Sequence, residues 1–281
     1  MPKLGLGLGI DNTISLSAAF TTEYQAILAR GTALGYTLPS ADTQIKQNQL
    51  VFNLKAAGTW DKLDVLYIYG NGAASSNFAL INWKNPNVSL STITGSLTFG
   101  NLGFTGAASS YIDTNYNPVT NGVKYKTDSA SAGIWKFLNN NTATKFMYGN
   151  SGSFNNTPGD SGASAAVRIM TFNTFVGAVQ TGVNNQATGL LIANKLNNTG
   201  SPTVRGTNNF AFYSGGAYQI RDTENEALTS GNYSVFAYAP IAGALPSTYL
   251  GGIGSFFAGE SFTSDQSLGF DAAMTIYFNS L

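Results

Sequence analysis

The sequence predicts an antiparallel β-sandwich, preceded by a small helical hairpin and closed by a C-terminal helix. Three observations carry the prediction. From residue 63 onward, short β-branched and aromatic segments alternate with Gly/Asn/Ser clusters such as "NNTGSP" at 197–202, which signal hairpin connections rather than crossover helices. Residues 21–62 carry helical spacing and helical end signals instead. The last stretch, "SFFAGESFTSDQSLGFDAAMTIYFNSL", passes from a strand into a capped helical stripe. The chain therefore divides into an arm at 1–20, a helical hairpin at 21–62 and a sandwich with its closing helix at 63–281.

In the arm, Leu4, Leu6, Leu8 and Ile10 alternate with Gly5, Gly7 and Gly9. That period of two gives one apolar face and one face of bare backbone, which suits a strand added to a neighbouring subunit, a flexible terminus, or a first strand docked on its own domain. Thr21 or Thr22 begins the first helix, with Gln25 at the capping-box position for Thr22. Tyr24, Ile27, Leu28 and Leu34 fall on one face before Gly35 ends it. Pro39 and Ser40 open the second helix, whose apolar positions Leu50, Val51, Leu54 and Ala57 lead to a left-handed cap at Gly58.

At Leu63 the period changes. "LDVLYIYG" reads as a strand, answered across the Gly/Ser-rich turn at 70–76 by "NFALINW" as its hairpin partner. Further strands are expected over 111–114, 133–137, 145–148, 167–171, 175–179, 190–194, 209–213, 217–220, 233–238 and 254–258. Small residues at 106–110 let the chain pass close beneath another segment, and Tyr111 and Asp113 then share one strand face while Ile112 and Thr114 share the other. Gly215-Gly216 suits a two-residue primed turn in "NFAFYSGGAYQI", with Phe210, Phe212, Tyr218 and Ile220 expected on one face. Thr263 and Gln266 form a capping box for the final helix. Its stripe of Leu268, Phe270, Met274, Tyr277, Phe278 and Leu281 is expected to pack on the sandwich edge.

Composition removes many function classes. Without Cys or His, the 281-residue chain has no disulfide, thiol nucleophile or Ser-His pair. Fourteen basic and fourteen acidic residues give zero net charge, with no basic footprint for nucleic acid. No run approaches the roughly 18–20 apolar residues of a membrane span, and the start lacks a signal-peptide pattern. Asn, Ser, Thr and 32 Gly fill the surface in place of charge, as in a component of an assembled particle.

From "GFTGAASSYIDTNYNP", "TGLLIANK", "NFAFYSGGAYQI" and "IGSFFAGESFTSDQSLGFDAAMTIYF", residues 100–281 resemble the concanavalin A-like lectin/glucanase superfamily in its laminin-G-like jelly-roll form. The helical lead-in with "FALINWKNP", and the Gly-Leu alternation at 4–9, resemble modules of tailed-bacteriophage structural proteins. The resemblance implies a jelly-roll sandwich in a phage virion protein, capsid-associated or fibre-like, without enzymatic activity and assembled in the host cytoplasm. It implies other virion proteins as partners, contact with host surface polysaccharide, and a homo-oligomer, a trimer by family analogy. No cofactor is implied.

One acidic constellation offers chemistry. In "RDTENEA", Asp222, Glu224 and Glu226 recur at every second position, so in a strand their carboxylates share a face, as in laminarinase-type hydrolases of the same superfamily. The order departs from that family's Glu-x-Asp-x-Glu pattern, Thr223 and Asn225 are polar, and Arg221 supplies a simple charge partner, so a solvated loop is the expected state, with a Ca²⁺ site and catalysis as the alternatives. No metal site is expected: Asp11, Asp128 and Asp160 lie among Asn and Ser oxygens without EF-hand spacing, which leaves open only a structural Ca²⁺. Tyr116, Tyr125, Tyr148, Tyr213, Tyr218, Tyr238 and Tyr249 stand near turns or strand ends, as core residues or as an exposed face that stacks on sugar rings. A cement protein without a ligand is the remaining alternative.

Overall fold

A computed structural model describes residues 20–88, 90–140, 145–150, 158–160, 167–170, 178–181, 188–196, 208–214, 217–223, 228, 230–237 and 248–281. The helices are α1 (Thr22–Ala33), α2 (Ala41–Ala56) and α3 (Ser264–Ser280). The strands are β1 (Leu63–Ile68), β2 (Thr92–Thr94), β3 (Thr98–Gly100), β4 (Gly103–Thr105), β5 (Tyr111–Asp113), β6 (Ala130–Leu138), β7 (Lys145–Phe146) and β8 (Tyr148–Asn150). They continue with β9 (Pro158–Asp160), β10 (Val167–Met170), β11 (Ala178–Thr181), β12 (Gly189–Leu196), β13 (Asn208–Ser214), β14 (Ala217–Thr223), β15 (Tyr233–Val235) and β16 (Gly252–Gly259). The mostly-β, antiparallel class expected from the sequence is the class observed, with the helical hairpin before it and a helix after it.

The principal sheet runs β14-β13-β12-β6-β16-β4-β3, with β1 also on β16. A second sheet, β2-β5-β15-β8, lies over one of its faces. Alternation along each strand sends side chains both ways. Val65, Tyr67, Ala132, Ile134, Leu191, Phe256 and Ala258 meet Ile112, Tyr148, Tyr233 and Val235 of the second sheet. Leu66, Ile68, Trp135, Leu190, Ile192 and Phe257 point the other way and meet the helices through Ile27, Leu50, Leu54, Phe270, Met274 and Phe278. The molecule is thus three layers deep around the principal sheet. A third sheet follows the order β11-β10-β9-β7.

Local chemistry explains the helix ends. Thr21 rather than Thr22 caps α1, its Oγ1 accepting from Tyr24 N, while Gln25 reaches the Phe20 carbonyl. Ser40 caps α2 as expected, and Gly58 past its end takes φ +65°, the left-handed conformation that a side chain resists. The Thr263–Gln266 capping box is complete in both directions. The chain is aimed into α3 by Asn194, whose amide exchanges two hydrogen bonds with the Phe262 backbone at 2.6 and 2.7 Å.

Several expectations are corrected. α3 packs on the face of the principal sheet rather than its edge: Phe270, Met274, Tyr277 and Phe278 are buried, while Leu268 is 51% exposed and leaves the stripe. The segment 77–83 is not the hairpin partner of β1. Asn71 holds Ala74 N and the Ser75 carbonyl, and Ser75 Oγ accepts from Phe78 N, so these polar side chains start a 3₁₀ turn at Phe78–Leu80. β1 pairs instead with β16, nearly two hundred residues away in sequence. In the β13–β14 hairpin, Ser214 opposes Ala217 across the two-residue loop, so Phe210 pairs with Arg221 and Phe212 with Gln219. Phe210 and Phe212 therefore belong to the opposite register set from Tyr218 and Ile220. The arm residues Leu4, Leu6, Leu8 and Ile10 lie outside the described residues.

Candidate functional site

Two Asn-Pro turns, Asn85-Pro86 and Asn117-Pro118, border a cleft of about 380 Å³ beside β1. It is lined by Asp64, Val65, Asn82, Asn85, Val88, Leu90, Asn115, Tyr116 and Asn121. The wall carrying Asn115 and Asn121 begins where β5 ends. Ile112 and Thr114 are fully buried and Tyr111 and Asp113 are half-buried, the face assignment read from the sequence. Asn115 turns the chain at φ +53°, a conformation its short polar side chain tolerates, with its N–H on Asp113 Oδ1 at 2.7 Å. The following loop is closed by Asn117, which donates from N to Asn121 Oδ1 at 3.0 Å and accepts from Val119 N at 3.0 Å.

Asp64 forms the floor. Its carboxylate accepts from Val123 N (3.2 Å), Lys124 N (2.9 and 3.0 Å), Tyr125 N (2.8 Å) and the Tyr116 hydroxyl (3.0 Å). Successive backbone N–H groups wrapped on one anion make a stable nest for it. Burial, reinforced by the Asp64 charge, pushes the Tyr116 phenol well above its ordinary range, so it remains a donor. Both oxygens of the carboxylate are therefore committed to the fold.

The asparagines are committed by halves. Asn82 Oδ1 accepts from Leu66 N and Lys84 N, leaving its Nδ2 unpartnered. Asn115 Nδ2 donates to the Leu90 carbonyl at 2.7 Å and leaves Oδ1 free. Asn121 Oδ1 accepts from Asn117 N and Thr120 Oγ1, leaving Nδ2 free. Asn85 is exposed with both halves free. Each partnered half fixes the direction of its free half, so the cleft presents oriented, uncharged donors and acceptors beside the apolar Val88 and Leu90.

The sequence-predicted acidic set is not brought to this cleft. Asp222 lies near the end of β14, an edge strand among the described residues, opposite Asn209; Glu224 and Glu226 lie outside the described residues. Among the possible calcium oxygens, Asp160 sits on β9 opposite Lys145 and Arg168, and Asp11 lies outside the described residues. Among the described residues no three His, Cys, Asp or Glu side chains cluster, and no helix is long and apolar enough to cross a membrane. Tyr116, Tyr125, Tyr148 and Tyr249 are buried in the core between the sheets, which answers the choice left open for them; Tyr238 lies outside the described residues. The asparagines were missed in the sequence. Their one signal is that "KNPN" and "NYNP" repeat an Asn-Pro turn flanked by a second Asn.

No family model matches the chain, and no curated protein matches it. Solved structures do. Domain 4 of AbnA, a GH43 extracellular arabinanase from Geobacillus stearothermophilus in complex with arabinotriose, aligns at 14% identity and TM-score 0.47 over 75% of this chain and 98% of that one. A Trypanosoma rangeli sialidase in complex with sialic acid aligns at 6% and 0.47, over 82% of this chain and 39% of its own. The binding domain of botulinum neurotoxin DC, in complex with rat synaptotagmin II, aligns at 12% and 0.45, over 76% and 52%.

Proposed function

We propose that this protein is a non-enzymatic structural component of a tailed-bacteriophage virion whose sandwich offers the asparagine-lined cleft to host surface glycans. The observation that carries the binding half is the set of half-committed amides at Asn82, Asn115 and Asn121, with the free amide of Asn85. Sugar hydroxyls both donate and accept, and their ring faces are apolar, so oriented amides beside Val88 and Leu90 match them in kind. The non-enzymatic half is supported by Asp64: the cleft's one carboxylate holds four donors and has no lone pair placed for acid/base work.

The virion context is supported by zero net charge and by the arm with Leu4, Leu6, Leu8 and Ile10, which would join other virion proteins or further copies of the chain. Many copies per particle would raise weak glycan contacts to useful avidity. A glycan array probed with the full chain tests the binding half: capture of host-type polysaccharide supports it, and a blank array leaves only the cement-protein alternative. The glycosidase alternative makes Glu224→Gln plus Glu226→Gln abolish hydrolysis of a polysaccharide that the native chain cleaves. Under the proposal there is no hydrolysis to abolish.

A further inference from the structure

Resting on the glycan reading above, we infer that the cleft takes a neutral saccharide, one or two rings at the end of a glycan, held by direct hydrogen bonds without a metal ion. The lining contains no Lys or Arg, the side chains that ordinarily hold the carboxylate or sulfate of an acidic sugar. Lys84, adjacent in sequence, is drawn away over the Trp60 ring at 4.3 Å, and Lys124 gives the floor only its backbone N–H. The single charge present is the Asp64 carboxylate, which repels an anion entering above it.

The free groups fit neutral hydroxyls. Asn82 and Asn121 offer donors, Asn115 an acceptor and Asn85 both, so neighbouring hydroxyls on one ring find complementary partners. A bridging cation has no vacant carboxylate here, because N–H and O–H donors already face both Asp64 oxygens and would have to be displaced. A volume of about 380 Å³ lies at the low end of the roughly 300–1,000 Å³ of small-molecule sites, room for a terminal unit and not for a long chain.

The test uses the full chain on an array that pairs neutral hexosyl and N-acetylhexosaminyl glycans with sialylated, uronylated and sulfated counterparts, followed by titration calorimetry of the hits with and without EDTA. Neutral glycans are expected to bind, with affinity unmoved by EDTA. Asn85→Ala, whose amide has no partner in the fold, is expected to weaken binding about ten-fold at unchanged melting temperature. Asn121→Ala gives the same direction from the opposite wall. A preference for acidic glycans, or loss of binding in EDTA, overturns this inference and leaves the glycan reading standing. Unchanged binding in both variants overturns the assignment to the cleft, and a blank array removes both.

Discussion

Asp64 does two jobs with one carboxylate: it shapes the turn at 123–125 and satisfies a buried phenol. Asp64→Ala leaves the part-buried Tyr125 N–H and Tyr116 hydroxyl without an acceptor, while the exposed Val123 and Lys124 N–H groups turn to water, and is expected to cost about 2 kcal/mol in urea unfolding. Asp64→Asn keeps an acceptor and should cost about half as much. Lys84 sets a pH signature. Burial against Trp60 outweighs the pull of Asp61 and Glu23 and lowers its pKa to about 8. Between pH 8 and the ordinary lysine value the unfolded chain holds a proton that the folded chain has released, so the stability contribution of this site rises with pH across that window. The stability difference between the native chain and Lys84→Met should therefore grow in favour of the native chain from pH 8 to about 10. A flat difference would mean that Lys84 keeps its charge in the fold.

Among the elements, the approach to β5 is the tightest. Gly106 donates its N–H to the Gly251 carbonyl at 2.9 Å, and a Cβ there would stand 1.8 Å from the Tyr249 carbonyl oxygen. No rotamer relieves a backbone clash, so Gly106→Ala is expected to lose at least about 3 kcal/mol, read as a lowered denaturation midpoint. Thr263→Ala should lose about 1 kcal/mol, the ordinary worth of an N-cap. These two positions were legible in the sequence because local chemistry decides them: a capping box is read within four residues, and a run of small residues announces a close crossing. The partner of β1 was not legible, since strand pairing over long separations leaves no local mark, and "NFALINW" has a strand's composition while Asn71 and Ser75 make it turn. The face of α3 was half legible: its stripe is mostly right, but whether a stripe meets a sheet's face or edge depends on the other helices. The cleft was hidden for the same reason. Asn82 and Asn121 are ordinary turn residues until β1 and the loop after β5 bring them together.

At the scale of the molecule, β1, β6, β12 and β16 of the principal sheet are buried on both faces, by a second sheet and by three helices. The core between the two sheets holds seven phenols, Tyr67, Tyr69, Tyr116, Tyr125, Tyr148, Tyr233 and Tyr249, with Tyr125 and Tyr233 sharing a hydroxyl contact at 2.9 Å. Burial raises the pKa of Tyr69, Tyr116, Tyr125 and Tyr233, so unfolded phenols ionise first and stability falls as pH rises above about 10, opposite in sign to the Lys84 effect. In alkaline unfolding followed by tyrosinate absorbance, these buried phenols should ionise in one cooperative step; their gradual ionisation in the folded state would contradict this core. Under the proposed virion role, deletion of residues 1–20, which removes Phe20 alone of the described residues, a ring edge-on to Tyr24, should leave a folded chain that no longer enters particles, while normal incorporation would rule out the arm as the attachment element.

The pairing of β1 with β16 also sets a timetable for synthesis. β16 lies between β6 and β1 in the principal sheet and follows both in sequence, so neither meets this shared neighbour until residues 252–259 have left the ribosome. The helical hairpin emerges early, but much of the apolar surface it covers belongs to strands not yet joined and to α3 not yet made. The principal sheet therefore cannot close before β16 is made, and a nascent chain halted anywhere before residue 252 remains a client for chaperones and proteases.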